Sequence, residues 1–117
     1  MEISKKLQLP VGTPIFAVAA PSGVELGVQV SKQAGKAAVP VFAIDSEALM
    51  ANAIPAVEAA KEDRLAWIAY PKAGQLGTDL NRDKLVEAMR AYGIDSVRLV
   101  SLNDVWSAMR FRPSLRG

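Results

Sequence analysis

Three short stretches of the chain are apolar at every position rather than at alternate ones. They are 15–20 (IFAVAA), 39–44 (VPVFAI) and 65–70 (LAWIAY), closed by Pro21-Ser22-Gly23, Asp45-Ser46 and Pro71-Lys72. Strands of this kind are apolar on both faces, as parallel strands covered by helices are. Between the second and third runs, Leu49, Met50, Ala53, Ile54, Val57 and Ala60 recur at spacings of three and four, the pattern of a helix with one buried face. Asp45 or Ser46 can cap that helix, and Pro55 inside it predicts a kink or a split into two short pieces. A second helix is predicted over 81–92, burying Leu85, Ala88, Met89 and Tyr92, with Gly93 where a left-handed C-terminal cap belongs. The last two strands, 97–102 (VRLVSL) and 105–112 (VWSAMRFR), are separated by Asn103-Asp104 alone. That connection is too short for a parallel crossover, so it predicts a hairpin. Segment 24–38 (VELGVQVSKQAGKAA) fits either an irregular helix or a short extra strand with a loop.

The order is thus strand, crossover, strand, helix, strand, helix, strand, strand. Right-handed crossovers make the first four strands parallel, and the last returns antiparallel. The pattern predicts one α/β domain over residues 1–117: a three-layer, mixed sheet of about five strands that ends in an antiparallel hairpin.

Composition changes this picture mainly by exclusion. At 117 residues the chain has the size of one domain, and its 50% hydrophobic and 22% charged residues suit an ordered globular protein. There is no His and no Cys. Disulfides, thiolate nucleophiles, Ser-His or Cys-His catalysis and His- or Cys-ligated metals are therefore excluded. A metal would have to be a hard cation on carboxylates and backbone oxygens, and acid–base chemistry would fall to Asp, Glu, Lys or Tyr with displaced pKa values. No metal and no cofactor is expected. The formal charge of +2 is too mild to point to nucleic acid, and Arg110, Arg112 and Arg116 read as solvated charges near the chain end. No apolar run approaches the length needed to span a bilayer, and the N-terminus MEISKK lacks the apolar stretch of a signal peptide, so a cytoplasmic location is expected.

In an open α/β sheet, ligands bind beyond the carboxyl ends of the parallel strands. That rule gathers Asp45, Tyr70, Lys72, Thr78, Asp79, Asn103 and Asp104 on one rim, with the arginines of the last strand at the opposite end. Of these, Tyr70, Lys72, Thr78, Asp79, Asn103 and Asp104 are the candidate ligand-binding residues. The segment between them, Lys72-Ala-Gly-Gln-Leu-Gly77, has glycines three apart and matches neither the dinucleotide GxGxxG nor the P-loop. In one reading Gly74 and Gly77 supply turns, and Thr78, Asp79 or Asn81 caps the helix. In the other, Lys72, backbone N–H groups and the helix N-terminus hold an anion. Asp45 also reads as a helix cap, Asp104 as a turn residue, and Trp67 and Trp106 as core aromatics.

LAWIAYPKAGQLGTDLNRDKL and VSLNDVWSAMRFRP, over roughly 64–113, resemble a family of small bacterial proteins of unknown function. Its shared signature is a Y-P-K strand end, a T-D-L-N-R-D helix start and a W-S-A-x-R-F-R-P final strand. A closing hairpin whose last strand inserts into the sheet is similar to the carboxyl half of Rossmann-like S-adenosylmethionine methyltransferases. The resemblance implies fold rather than methyl transfer, because fold analogy is a weak warrant for activity. Two functions follow as expectations. One is a non-enzymatic binding or accessory protein, with a homodimer through an edge strand or helix face. The alternative is binding of a small anionic molecule or nucleotide at the carboxyl rim, in the manner of a degenerate methyltransferase.

Overall fold

The structure, a computed structural model, describes residues 39–72, 75–102 and 104–114. The predicted strand at 15–20 and the segment 24–38 lie outside the described residues, as do Gly74, Asn103 and Arg116.

Strand β1 (Val39–Phe42) leads into helix α1 (Ser46–Asn52) and helix α2 (Ile54–Lys61). The split expected at Pro55 is present: Pro55 occupies the first turn of α2, where its missing N–H would have had no partner. Asp45 caps α1, its Oδ1 accepting from the Ala48 N–H at 2.8 Å. The end of α2 carries no glycine. Asp63 takes the left-handed conformation instead, with φ of 57°. The Asp63 N–H donates to the Ala60 carbonyl and the Arg64 N–H to the Ala59 carbonyl, the paired bonds of a Schellman stop. Asp63 also accepts both bonds of a fork from Arg112, at 2.8 and 3.0 Å, which ties this stop to the last strand.

Strand β2 (Ala66–Pro71) is followed by a 3₁₀ turn (Gln75–Gly77), helix α3 (Arg82–Arg90) and the hairpin of β3 (Ile94–Ser101) and β4 (Trp106–Pro113). Gly77 and Gly93 have φ of 67° and 83°, as a turn and a helix stop require. Asn81 is the α3 cap, accepting from the Lys84 N–H at 2.9 Å.

The sheet has the order β1-β2-β4-β3. β1 and β2 are parallel, and β4 runs antiparallel between β2 and β3. Val39 and Ala43 donate to β2, so the nitrogen of Pro40, one residue out of phase, faces away from it.

About five strands are expected; the sheet has four among the described residues, the predicted strand at 15–20 lying outside them. The three helices described, α1, α2 and α3, all lie on one face of it. Ala66, Ile68 and Tyr70 of β2, Met109 and Phe111 of β4, and Val39 and Val41 of β1 form one buried cluster. The same cluster takes in Leu49, Val57, Leu85 and Met89 from all three helices. These helices share a face because the chain steps the same way across the sheet from β1 to β2 and from β2 to β3, and right-handed crossovers in one direction land their helices on the same side.

The other face is buried as well, with Phe42, Trp67, Ala69, Trp106 and Ala108 nearly inaccessible. There Phe42 and Trp106 meet edge to face at 5.6 Å. On this face Trp67 Nε1 and Arg110 Nε, on directly paired positions, are buried donors without a partner among the described residues.

Candidate functional site

Side chains alternate along β2, so Tyr70 and Lys72 follow Ala66 and Ile68 onto the helix-covered face as the strand leaves the core. Register continues this row across the sheet: Tyr70 pairs with Ser107, and Ser107 with Ser101. The Lys72 N–H donates to the Val105 carbonyl at 2.7 Å, and its ammonium donates to Ser101 Oγ at 2.8 Å. β2 therefore ends pinned against the hairpin.

The first turn of α3 comes down over this row. Between them lies an open depression of about 460 Å³, lined by Tyr70, Lys72, Arg82, Asp83, Leu99 and Ser107, with Asn81 at its margin. That volume is within the range of small-ligand sites, roughly 300–1,000 Å³. Its lining carries two cations, Lys72 and Arg82, and one carboxylate, Asp83. The Arg82–Asp83 ion pair is long, 3.8 Å, and solvent-exposed, so it holds Arg82 only weakly. A second depression, between α3 and β3, is lined by Arg82, Asp83, Val86, Glu87, Arg90 and Ser96.

Tyr70 is 5% exposed, and its hydroxyl has no hydrogen-bond partner among the described residues. Burial raises its pKa, and the nearby Arg82 guanidinium pulls in the opposite direction without cancelling the rise. The phenol therefore stays protonated at neutral pH, and its oxygen lies within the field of Arg82.

The structure separates the residues expected on the rim. Tyr70 and Lys72 line the depression. Thr78 Oγ1 accepts from the Leu80 N–H at 3.0 Å and shapes the approach to α3. Asp79 reaches across to the other crossover, its Oδ1 accepting from the Ser46 N–H at the start of α1 at 2.8 Å. Its carbonyl accepts from the Lys84 ammonium. Asp79 is thus a tie between two helix starts, set back from the depression. Asp104 is exposed in the hairpin connection, and Asn103 lies outside the described residues. Arg82, Asp83, Leu99 and Ser107 were not singled out by sequence. Their one legible signal was position: Arg82 and Asp83 open the helix that follows the rim loop, and Leu99 and Ser107 fall on the face of Tyr70 once the register is known.

No family model, curated protein or solved structure matches the chain. Among the described residues no group of acidic side chains could hold a metal, and no helix is long and apolar enough to cross a membrane.

Hydrogen bonds from Arg112 hold the Asp63 carboxyl below its ordinary range, and bonds from the Ser46 backbone and hydroxyl do the same for Asp79. A lowered folded-state pKa means the unfolded chain takes up protons first. The stability these groups contribute is complete above about pH 4 and is lost as the pH falls through the folded values. Thermal melts between about pH 5 and pH 2 should show the Asp63→Asn/Asp79→Asn double variant losing less of its melting temperature than the wild type. Parallel loss in both would place acid sensitivity in other carboxylates.

Proposed function

We propose that this chain is a non-enzymatic binding protein whose ligand, a small anion, sits at the carboxyl rim between Lys72 and Arg82. The observation that carries the reading is the depression itself: donors from a strand end and from a helix start converge on a concave, partly apolar surface. The capped N-terminus of α3 adds its dipole in the same sense. At the depression itself, burial moves the Tyr70 phenol away from neutrality, opposite to what a general acid or base needs.

Calorimetric titration with benzoate, inorganic phosphate and phenyl phosphate tests the reading. At least one of these should bind saturably, and Lys72→Ala/Arg82→Gln should weaken it by about tenfold or more, the loss of charge-assisted hydrogen bonds. Identical titrations of wild type and double variant would remove the proposal.

A second reading, self-association, is favoured by β3. It is the sheet's outer strand among the described residues and leaves Val97 53% and Leu99 46% exposed. Unpaired apolar edges invite a partner strand. In sedimentation velocity, Val97→Lys should then shift a concentration-dependent dimer to monomer. A wild type that stays monomeric at high concentration rejects this reading.

A further inference from the structure

Resting on the anion reading above, we infer that the rim depression is selective for phosphate monoesters, with the phosphoryl group held by the Tyr70 hydroxyl, Lys72 and Arg82 and the organic body against Leu99.

The argument begins with Tyr70. The ring is buried, with the residue 5% exposed, but the hydroxyl is not among the buried atoms that lack a partner: it opens on the depression that Tyr70 lines. It bonds to none of the described residues, and the cation whose field it feels, Arg82, is only a donor, so the hydroxyl is free to donate to a ligand's acceptor. The Lys72 ammonium is engaged with a neutral hydroxyl, Ser101 Oγ, a weaker partner than an anionic oxygen would be. Arg82 has only the long contact to its neighbour Asp83. Three donors from two elements thus line one depression in which Asp83 is the single carboxylate.

Their number and charge distinguish between anions. A carboxylate offers two oxygens and one negative charge. A phosphate monoester offers three terminal oxygens and close to two charges at neutral pH, matching three donors and two cations. Asp83, on the same wall, disfavours an additional anionic group and can accept from a hydroxyl on the ligand body.

The volume adds the ester. About 460 Å³ is far more than a phosphoryl group fills, and the remaining wall includes the half-exposed Leu99, which pairs with Met109 on the helix-covered face. Free phosphate would leave that apolar wall wet. No indole faces the depression to stack a base: Trp106 packs with Phe42 on the opposite side of the sheet. A compact phosphorylated metabolite fits better than a nucleotide.

Calorimetry with phenyl phosphate, inorganic phosphate and benzoate on the intact chain separates the outcomes. Phenyl phosphate should bind at least about tenfold more tightly than either of the other two. Tyr70→Phe, which keeps the ring, should weaken phenyl phosphate by about tenfold and benzoate by less than about twofold. Leu99→Ala should weaken phenyl phosphate while leaving inorganic phosphate unchanged. A urea melt of each variant shows that the chain remains folded. Benzoate binding as well as phenyl phosphate, or Tyr70→Phe leaving phenyl phosphate unaffected, overturns phosphoryl selectivity and leaves the anion reading standing. Absence of binding by all three probes removes both.

Discussion

Phe111→Ala is expected to destabilise the chain by about 4 kcal/mol, close to the whole stability of many small domains. Phe111 is fully buried in β4, the strand that joins the hairpin to the parallel pair, and it faces Ala66 on one side and Ser96 on the other. Its cluster includes Ala56, Ala59 and Ala60 of α2, with Ala53 at the junction of α1 and α2. Small side chains on α2 let the helix approach the sheet closely, and the large rings and Met109 fill the remaining space. Truncating Phe111 removes the ring from a closely packed cluster and leaves a cavity that the alanines of α2 are too short to fill. Urea unfolding should show the midpoint falling by about 2 M at a typical slope for this size. A loss below about 1.5 kcal/mol would mean that the cluster repacks and that β4 is not the centre of the core.

Leu85→Ala is expected to cost about 3 kcal/mol and to act on the candidate site as well. Helix α3 spans nine residues, too short to persist by itself in water. Its buried side chains are Leu85 and Met89, one turn apart and both fully inaccessible. Removing the first loosens the end of the helix that carries Arg82 over Tyr70. Hydrogen exchange should rise across 82–90 more than across β2, and anion titration should weaken beyond what the folded fraction explains. Equal protection of α3 and β2 would show that Met89 alone docks the helix.

Much of the architecture was legible because it depends on local chemistry. Pro55 can occupy only the first turn of a helix, so the break before it follows from covalent structure. Asn81 and Asp45 precede amphipathic runs and cap them, and Gly93 stops α3 with a φ that few other residues adopt. The hairpin follows from a connection too short for anything else. The end of α2 was not legible in the same way, because Asp63 takes the left-handed conformation in which glycine is usual, and its fork from Arg112 lies 49 residues away in sequence.

The site divides along the same line. Sequence and the rule for open sheets placed Tyr70 and Lys72 at a strand end where a ligand could lie, since side-chain alternation and strand direction are local properties. The neighbours of that end depended on long-range packing. Asp79 stays at the rim but outside the depression, because Ser46, at the start of another helix, offers an N–H that its carboxylate accepts. Arg82 joined the rim because Leu85 and Met89 dock α3 over the face that carries Tyr70. By itself, then, the sequence determined the elements, their caps and the polarity of each strand, all settled by interactions within a few residues. Only the tertiary structure decided the order β1-β2-β4-β3, the docking of the three described helices on one face and the meeting of Arg82 with Tyr70, because each is chosen by burial between segments that one chain's local chemistry does not compare.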